Sequence, residues 1–263
     1  MAHLPPLLPA ESVHDRRHVT IWVALTFAAG AVNAAALAAC QAFVTHVTGT
    51  LTRIGADFEQ PTLLLEYVVV VVCFVLGAMT SVFLLDGRRL RHRQPWPAAP
   101  LVLVSLVQAG AASAGLAGLF GPFGTTVETL GDFALLSVLG FAMGLQNAAV
   151  ASTTGMIVRT THMTGPLTDF SIALATSMSH GPATLVEGAR RSVRLRGAKI
   201  LAFVSGALVA SAIAPHLGYA TFFLPAAITL VAAIRLYASL RGQRLASTST
   251  DLAPRDAVTA SRS

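Results

Sequence analysis

Thr45-His46-Val47-Thr48-Gly49-Thr50-Leu51-Thr52 recurs later in the chain as Thr161-His162-Met163-Thr164-Gly165-Pro166-Leu167-Thr168, with six identities in eight positions. Two further pairs of segments accompany these blocks in the same order. They are Gly30-x-x-Asn33-Ala34-Ala35 with Gly144-x-x-Asn147-Ala148-Ala149, and Phe74-Val75-x-Gly77-Ala78 with Phe203-Val204-x-Gly206-Ala207. Three matched segments in one order indicate that the chain contains two copies of one unit.

The residues around these blocks are predominantly apolar. Hydrophobic residues make up 54% of the 263 positions and charged residues only 11%, which is far from the composition of a soluble domain. Windows of about 20 apolar residues, the length that crosses a bilayer, lie at 19–42, 62–85, 98–119, 131–151, 198–216 and 218–240. The sequence therefore predicts an all-α membrane protein with six transmembrane helices.

The repeat divides these six spans into two groups of three. We predict a single transmembrane domain over 19–240, with repeat one at 19–119 and repeat two at 131–240, between disordered tails at 1–18 and 241–263. Because each copy has an odd number of crossings, the second copy enters the membrane from the opposite side. The predicted arrangement is an inverted repeat with a short broken or interfacial helix after spans one and four.

The positive charges predict the orientation. Of the 18 lysines and arginines, all except Arg53 fall in the tails, the loops or the span ends that lie on one predicted side. Such residues are retained on the cytoplasmic side, so both termini are predicted on the cytoplasmic side of the membrane. The net charge of +6 then reflects topology and contact with anionic lipid headgroups, and a nucleic-acid partner is not expected.

The two blocks resemble helix starts. Thr48 and Thr164 are predicted N-caps of short amphipathic helices, and the free N–H groups of such helix ends favour anionic ligands. A plain interfacial helix without a ligand explains the same pattern. Close approach of two backbones explains Gly49 and Gly165 equally well.

His46 and His162 occupy equivalent positions in the two blocks. A histidine near a membrane boundary is suited to relaying protons or sensing pH, whereas a structural hydrogen bond is the simpler interpretation. No third or fourth ligand has suitable spacing, so no metal site is predicted.

Polar side chains within spans are costly unless they face a cavity or bond to another helix. The asparagines of the repeat carry both interpretations, and their duplication favours a shared site. The predicted substrate-binding residues are Asn33, His46, Thr48, Gly49, Gln146, Asn147, His162, Thr164 and Gly165.

Opposite charges stand directly after the two blocks. Arg53 follows the first block and Asp169 the second. If the blocks converge, these residues form an ion pair or a gate; if the blocks lie at opposite faces, Arg53 neutralises Asp57 and Glu59, and Asp169 neutralises a neighbouring arginine.

Motifs of enzymes are not visible. The chain has no Gly-rich phosphate loop, no Gly-x-Ser-x-Gly elbow and no His-Glu-x-x-His sequence, so no catalytic residue or cofactor is predicted. Cys40 and Cys73 both lie in apolar spans and are interpreted as packing residues. The segment before Cys40 also imitates a lipoprotein signal, but cleavage there would divide the first repeat.

The motifs Gly-x-x-Asn-Ala, Thr-His-Val-Thr-Gly and Thr161 to Asp169 closely resemble the YoaK-like family of small bacterial membrane proteins, over about residues 21–240. The family is known as a domain of unknown function, so the resemblance implies a fold rather than an activity. Many relatives have Asp at the position of Asn33 and Asn at that of Thr50, and this departure argues against a cation or proton role for the first block.

A transporter or permease for a small solute or ion, with its site between the two Thr-His-x-Thr-Gly blocks, is the function that the inverted repeat favours. The alternative is a non-transporting scaffold or partner-binding module that uses its basic cytoplasmic loops. An intramembrane enzyme is the third interpretation. Loss of saturable solute binding on changing the site residues distinguishes the first from the second.

Overall fold

A computed structural model describes residues 5–125 and 130–251 of the chain. Within these ranges the secondary structure is entirely helical. In chain order the α-helices are α1 (Arg16–Cys40), α2 (Val47–Ala56), α3 (Pro61–Leu90), α4 (Ala99–Leu116), α5 (Leu130–Thr153), α6 (Thr164–Ser177), α7 (Ala183–Leu217) and α8 (Phe223–Asp251). Two short 3-10 helices, Ser12–His14 and Gly218–Phe222, precede α1 and join α7 to α8.

Five helical segments in the described ranges are long and apolar enough to cross a membrane. They are α1, α3, α4, α5 and the 60-residue segment Ala183–Gly242, which contains α7 and most of α8. The sequence predicts two separate spans in that last segment, but the 3-10 turn joins its two helices without a non-helical loop. These segments indicate a multi-pass membrane protein.

Four of the long helices pack in two pairs, each of which joins a helix of one half to a helix of the other; we call these the crossed pairs. α1 packs most extensively against α7, and α3 against α5. A Cβ atom on Gly30 of α1 would overlap the carbonyl oxygen of Phe203 in α7, and one on Gly144 of α5 would overlap that of Phe74 in α3. Glycine lets two helix backbones approach this closely because it has no side chain.

The reciprocal contacts repeat the pattern. Gly206 of α7 meets the carbonyl oxygen of Phe27 in α1, and Gly77 of α3 meets that of Phe141 in α5. Each pair therefore joins a helix that carries the Gly-x-x-Asn segment to a helix that carries the Phe-Val-x-Gly-Ala segment of the other half. The α1–α5 contact between the two pairs is sparse by comparison.

α4 and α8 close one side of this arrangement. They pack against each other, and α4 also contacts α5 while α8 contacts α1. Ser105 of α4 donates a hydrogen bond of 2.8 Å to the carbonyl oxygen of Ala226 in α8. α3 exposes large apolar side chains such as Leu65, Leu76 and Phe83, as expected of a helix in lipid.

The short helices α2 and α6 follow α1 and α5, as the repeat predicts. Thr48 and Thr164 are not their N-caps: His46 precedes α2 and Met163 precedes α6, and neither makes a side-chain cap hydrogen bond. An N-cap threonine would place the first helical residue at the glycine that follows it, but α2 begins at Val47, one residue before Thr48, and α6 begins at Thr164 itself. Both threonine side chains lie in the first turn.

The structure departs from the prediction in the N-terminal tail and in residues 179–197, a basic segment between predicted spans four and five that we call the basic insertion and that is predicted as a cytoplasmic loop. Residues 5–15 are predicted to be disordered, but they pack on the domain. Leu8 and Val13 are fully buried, and the backbone N–H of Leu8 donates a hydrogen bond of 3.1 Å to the carbonyl oxygen of Thr153. The basic insertion at 179–197 is helical from Ala183 onward because its alanine, leucine and arginine residues favour helix. α8 continues to Asp251, whereas the remainder of the predicted C-terminal tail, 252–263, lies outside the described residues.

Candidate functional site

The two repeated blocks line one cavity of about 660 Å³. Every lining residue has its repeat equivalent in the lining as well. The seven pairs are Asn33 and Asn147, Phe43 and Arg159, Thr45 and Thr161, His46 and His162, Val47 and Met163, Thr48 and Thr164, and Phe74 and Phe203. A site shared equally by two copies of a unit is what an internal repeat produces when its copies face each other.

The cavity lies between the two crossed helix pairs. Asn33 and Phe203 belong to the α1–α7 pair, while Asn147 and Phe74 belong to the α3–α5 pair. The same two phenylalanines supply the carbonyl oxygens that Gly30 and Gly144 approach. Close glycine packing thus fixes where these walls of the cavity stand.

Asn33 ties the first block to α1. The backbone N–H and the hydroxyl of Thr45 both donate to its Oδ1, each at 3.1 Å. A half-buried amide in a membrane helix is costly without partners, and here the partners come from the loop that follows the same helix.

Asn147 holds the second block in an equivalent way. Its Oδ1 accepts from the backbone N–H of Thr160 at 3.1 Å and of Thr161 at 3.5 Å. The two asparagines therefore bond to loop backbone rather than directly to another helix. The loops in turn deliver the Thr-His segments to the cavity.

The two histidines pack on the first turns of the short helices. A Cβ on Gly49 would lie 2.6 Å from the Cε1 and Nδ1 atoms of His46, and a Cβ on Gly165 would lie 2.9 Å from Cε1 of His162. Gly49 and Gly165 thus leave room for the imidazoles and do not themselves line the cavity. The His46 ring also meets Phe43 edge to face, with centroids 6.0 Å apart.

Gln146 is buried and serves helix packing. Its Nε2 donates to the carbonyl oxygen of Leu25 in α1 at 3.0 Å and to Oγ1 of Thr160 at 3.2 Å. It is outside the cavity lining. Six of the nine predicted substrate-binding residues line the cavity. The other three, Gln146, Gly49 and Gly165, lie outside the lining and contact residues of the two loops or blocks. Their role in binding a ligand stays a prediction.

The structure gives Arg53 and Asp169 separate partners. Arg53 Nη1 donates to the hydroxyl of Tyr67 in α3 at 3.0 Å, and this hydrogen bond raises the pKa of the arginine. Asp169 Oδ2 accepts from Arg196 Nη2 in α7 at 3.2 Å. The blocks converge, yet each charged residue pairs within its own half, so a gate between Arg53 and Asp169 stays a prediction.

Arg159 lines the cavity but is not among the predicted substrate-binding residues. It stands two residues before Thr161, where the first half has Phe43 before Thr45. Aligning the halves beyond the octad would have brought out this difference. The lining phenylalanines Phe74 and Phe203 were visible as repeated residues, but only packing places them at the cavity.

Among the described residues no group of three or more His, Cys, Asp or Glu side chains is arranged to hold a metal ion. The lining itself contains two imidazoles, one guanidinium, amides and hydroxyls, without a carboxylate or a thiol. The two imidazoles are therefore the side chains of the lining that are suited to acid–base chemistry near neutral pH. The arrangement is suited to holding a solute.

The family comparison covers most of the chain. No curated protein and no solved structure matches it. The family match runs over residues 21–235, from within α1 to within α8, and so includes every residue of the cavity lining. The chain belongs to the family described as "Protein of unknown function (DUF1275)".

Proposed function

We propose that the protein is a transporter or permease for a small solute, with its binding site in the cavity between the two Thr-His-x-Thr-Gly blocks. The observation that carries this proposal is the composition of the lining: each of its seven repeat positions contributes one residue from the first half and one from the second. The cavity volume of about 660 Å³ falls in the range of small-molecule sites.

The proposed architecture is an inverted repeat of six crossings. It counts α7 and α8 as separate spans divided at Gly218, whose positive φ of 52° ends α7. The reciprocal packing of α1 with α7 and of α3 with α5 supports two equivalent units of three spans. Three spans in each unit then require opposite orientations in the membrane.

The packing also suggests how access would alternate. Each crossed pair is held by glycine contacts at two places, while the contact between α1 and α5 is sparse. Rocking of the α1–α7 pair against the α3–α5 pair would open the cavity on one side and close it on the other without breaking the tight contacts.

The proposed location is a bacterial cytoplasmic membrane with both termini inside. The arginines at 88–93 and at 190–196 support this orientation because both groups lie next to ends of predicted spans that face the same side. Labelling of single cysteines at positions 57 and 190 with a membrane-impermeant reagent tests this orientation. The reagent is added from one side of the membrane at a time, and the two cysteines are expected to react from opposite sides. Labelling of both from the same side would overturn the inverted arrangement.

A ligand screen tests the transporter proposal. Purified full-length protein is screened by thermal shift against metabolites and ions, and compounds that stabilise it are titrated to saturation. His46→Ala and His162→Ala are expected to weaken binding, whereas His180→Ala, at an exposed position between α6 and α7, keeps it. Absence of any stabilising compound, or equal binding by all three variants, contradicts the proposal.

A scaffold function has one supporting observation. The N-terminal part of α7, before its apolar part, carries three exposed arginines, Arg190, Arg191 and Arg194. Such a surface suits an acidic partner or anionic lipids. If neutralising these arginines abolishes function in cells while the histidine variants remain active, the scaffold interpretation replaces the transporter.

A further inference from the structure

The orientation of both cavity asparagines follows from their partners. Thr45 N–H donates to Asn33, and Thr160 N–H donates to Asn147, each at 3.1 Å. A backbone N–H only donates, so the atom that receives it must be the amide oxygen. The Nδ2 group of each asparagine makes no hydrogen bond to any residue in 5–125 or 130–251. Two amide donor groups are therefore left over at the cavity.

The fixed charge of the lining is positive and comes from one half only. Arg159 is exposed at the cavity, and within the described part of the chain it makes no hydrogen bond or ion pair. Its repeat equivalent is the neutral Phe43. No aspartate or glutamate lines the cavity to offset the guanidinium. An anion is the ligand that such a surface favours.

The backbone adds to this preference. The first turns of α2 and α6 reach the lining through Thr48 and Thr164, and first-turn N–H groups lack partners within a helix. The lining also has an apolar part, to which Phe74 and Phe203 contribute from the two crossed pairs. One part of the surface thus matches an oxyanion and another part an apolar body.

We infer that the cavity binds a small organic anion, whose oxyanion group is held by Arg159 and the amide groups of Asn33 and Asn147 and whose apolar body contacts Phe74 and Phe203. This inference rests on the proposed function, because it names the substrate class of the same cavity.

Four probes with the same ring test the charge preference. Benzoate, phenyl phosphate, benzamide and benzylammonium are titrated calorimetrically into the full chain in neutral-lipid nanodiscs. The two anions are expected to bind, and Arg159→Gln to weaken them roughly 10- to 100-fold, the loss of one charge-assisted hydrogen bond. Arg190→Gln, an exposed arginine outside the cavity lining, is the matched control and keeps wild-type affinity.

Asn147→Asp separates binding from folding. The aspartate keeps an oxygen for the Thr160 and Thr161 N–H groups but removes the Nδ2 donor and adds a negative charge. We expect this variant to retain its thermal midpoint and to lose benzoate and phenyl phosphate. Unchanged anion affinity in either Asn147→Asp or Arg159→Gln overturns the inference.

The outcomes also separate this inference from the transporter proposal. If benzylammonium or benzamide binds as tightly as benzoate and is lost in His162→Ala, the cavity is a solute site and only the anion assignment fails. If none of the four probes binds, the anion assignment fails as well. Failure of the wider metabolite screen in addition removes the transporter proposal.

Discussion

The loop after α1 and the loop after α5 are each tied to an asparagine, but the second is tied more firmly. Asn33 receives one backbone N–H and one rotatable hydroxyl, whereas Asn147 receives two backbone N–H groups. Gln146 adds a hydrogen bond to Thr160 in the second half. At the corresponding positions the first half has two valines that pack in the apolar core, Val32 and Val44.

The short helices differ in the same direction. α6 buries Ala173 and is joined to α7 by the Asp169–Arg196 ion pair, while α2 has no buried residue and contacts α3 through the exposed Arg53–Tyr67 hydrogen bond. The two copies of the unit thus contribute equivalent residues to the cavity lining, but their loops and short helices are held by different numbers of contacts. The loop and the short helix of the first half have fewer stabilising contacts than those of the second half, and the second half supplies the charge of the cavity through Arg159.

The largest expected effect tests where the halves are alike. Gly30→Ala and Gly144→Ala each place a methyl group against a helix backbone, so we expect each to destabilise the protein by about 1–3 kcal/mol. The two variants should lower the thermal midpoint in detergent by similar amounts, because their contacts with Phe203 and Phe74 are equivalent.

Gly110→Ala is the matched control. Gly110 is exposed in α4 and has no neighbour within 4 Å of a built Cβ, so alanine there is expected to be neutral or stabilising by about 0.5–1 kcal/mol. A tolerated Gly30→Ala beside a disruptive Gly144→Ala would show that the two crossed pairs are not equivalent.

The next effect tests where the halves differ. Asn147→Ala leaves two backbone N–H groups without an acceptor, at a cost of about 1–3 kcal/mol. Asn33→Ala leaves one, since the Thr45 hydroxyl can rotate to another acceptor. The thermal midpoint should therefore fall further for Asn147→Ala. An equal or reversed order would mean that the second loop is no more firmly held.

A smaller effect concerns the short helices. Hydrogen exchange of backbone amides is expected to be slower in α6 than in α2, and Asp169→Asn is expected to narrow this difference. The ion pair is partly exposed, with 26% and 54% of the Arg196 and Asp169 side chains accessible, so its loss costs about 0.2–1 kcal/mol. Arg53→Gln, which removes an exposed hydrogen bond and an exposed cation–π contact with Tyr67, should leave exchange in α2 nearly unchanged. Faster exchange in wild-type α6 would contradict the comparison.

The smallest effect depends on pH. Burial, together with Arg196 and Arg191 of α7, lowers the pKa of His14, which lies in the N-terminal segment, below its ordinary value of 6.5. The unfolded chain then binds the proton more readily, so His14 contributes stability above pH 6.5 that is lost as the pH falls through its folded pKa. We expect acidification from about pH 7.5 to 5.5 to lower the thermal midpoint more in wild type than in His14→Gln. An equal decrease would show that His14 is not responsible.

Much of the fold could be predicted from the sequence. The all-helical membrane class follows from apolar windows, and the resemblance to the YoaK-like family is confirmed by the family match over residues 21–235. The charge of the basic insertion predicts a loop, whereas its alanine, leucine and arginine residues favour helix, and α7 runs through the insertion from Ala183. Leu8 and Val13 in the N-terminal segment were missed because two apolar residues in a proline-rich stretch show no periodicity.

The candidate site was predicted in outline but not in detail. Asn33, Asn147, His46 and His162 stood out because they are duplicated, and all four line the cavity. Arg159 did not stand out because it breaks the repeat and because an arginine near a span end already has a topological explanation. The different partners of Arg53 and Asp169 depend on where α3 and α7 lie, which local sequence does not specify.

The sequence by itself determined that the chain is a multi-pass helical membrane protein made of two related units, since apolar length and internal repetition are properties of the chain alone. Only the tertiary structure decided that the two blocks meet in one cavity, and that Gln146, Gly49 and Gly165 stand behind the lining. The physical reason is that these relations depend on glycine contacts between helices that are far apart in the sequence. At each contact the carbonyl oxygen of one helix fits against the other helix only because glycine has no side chain there.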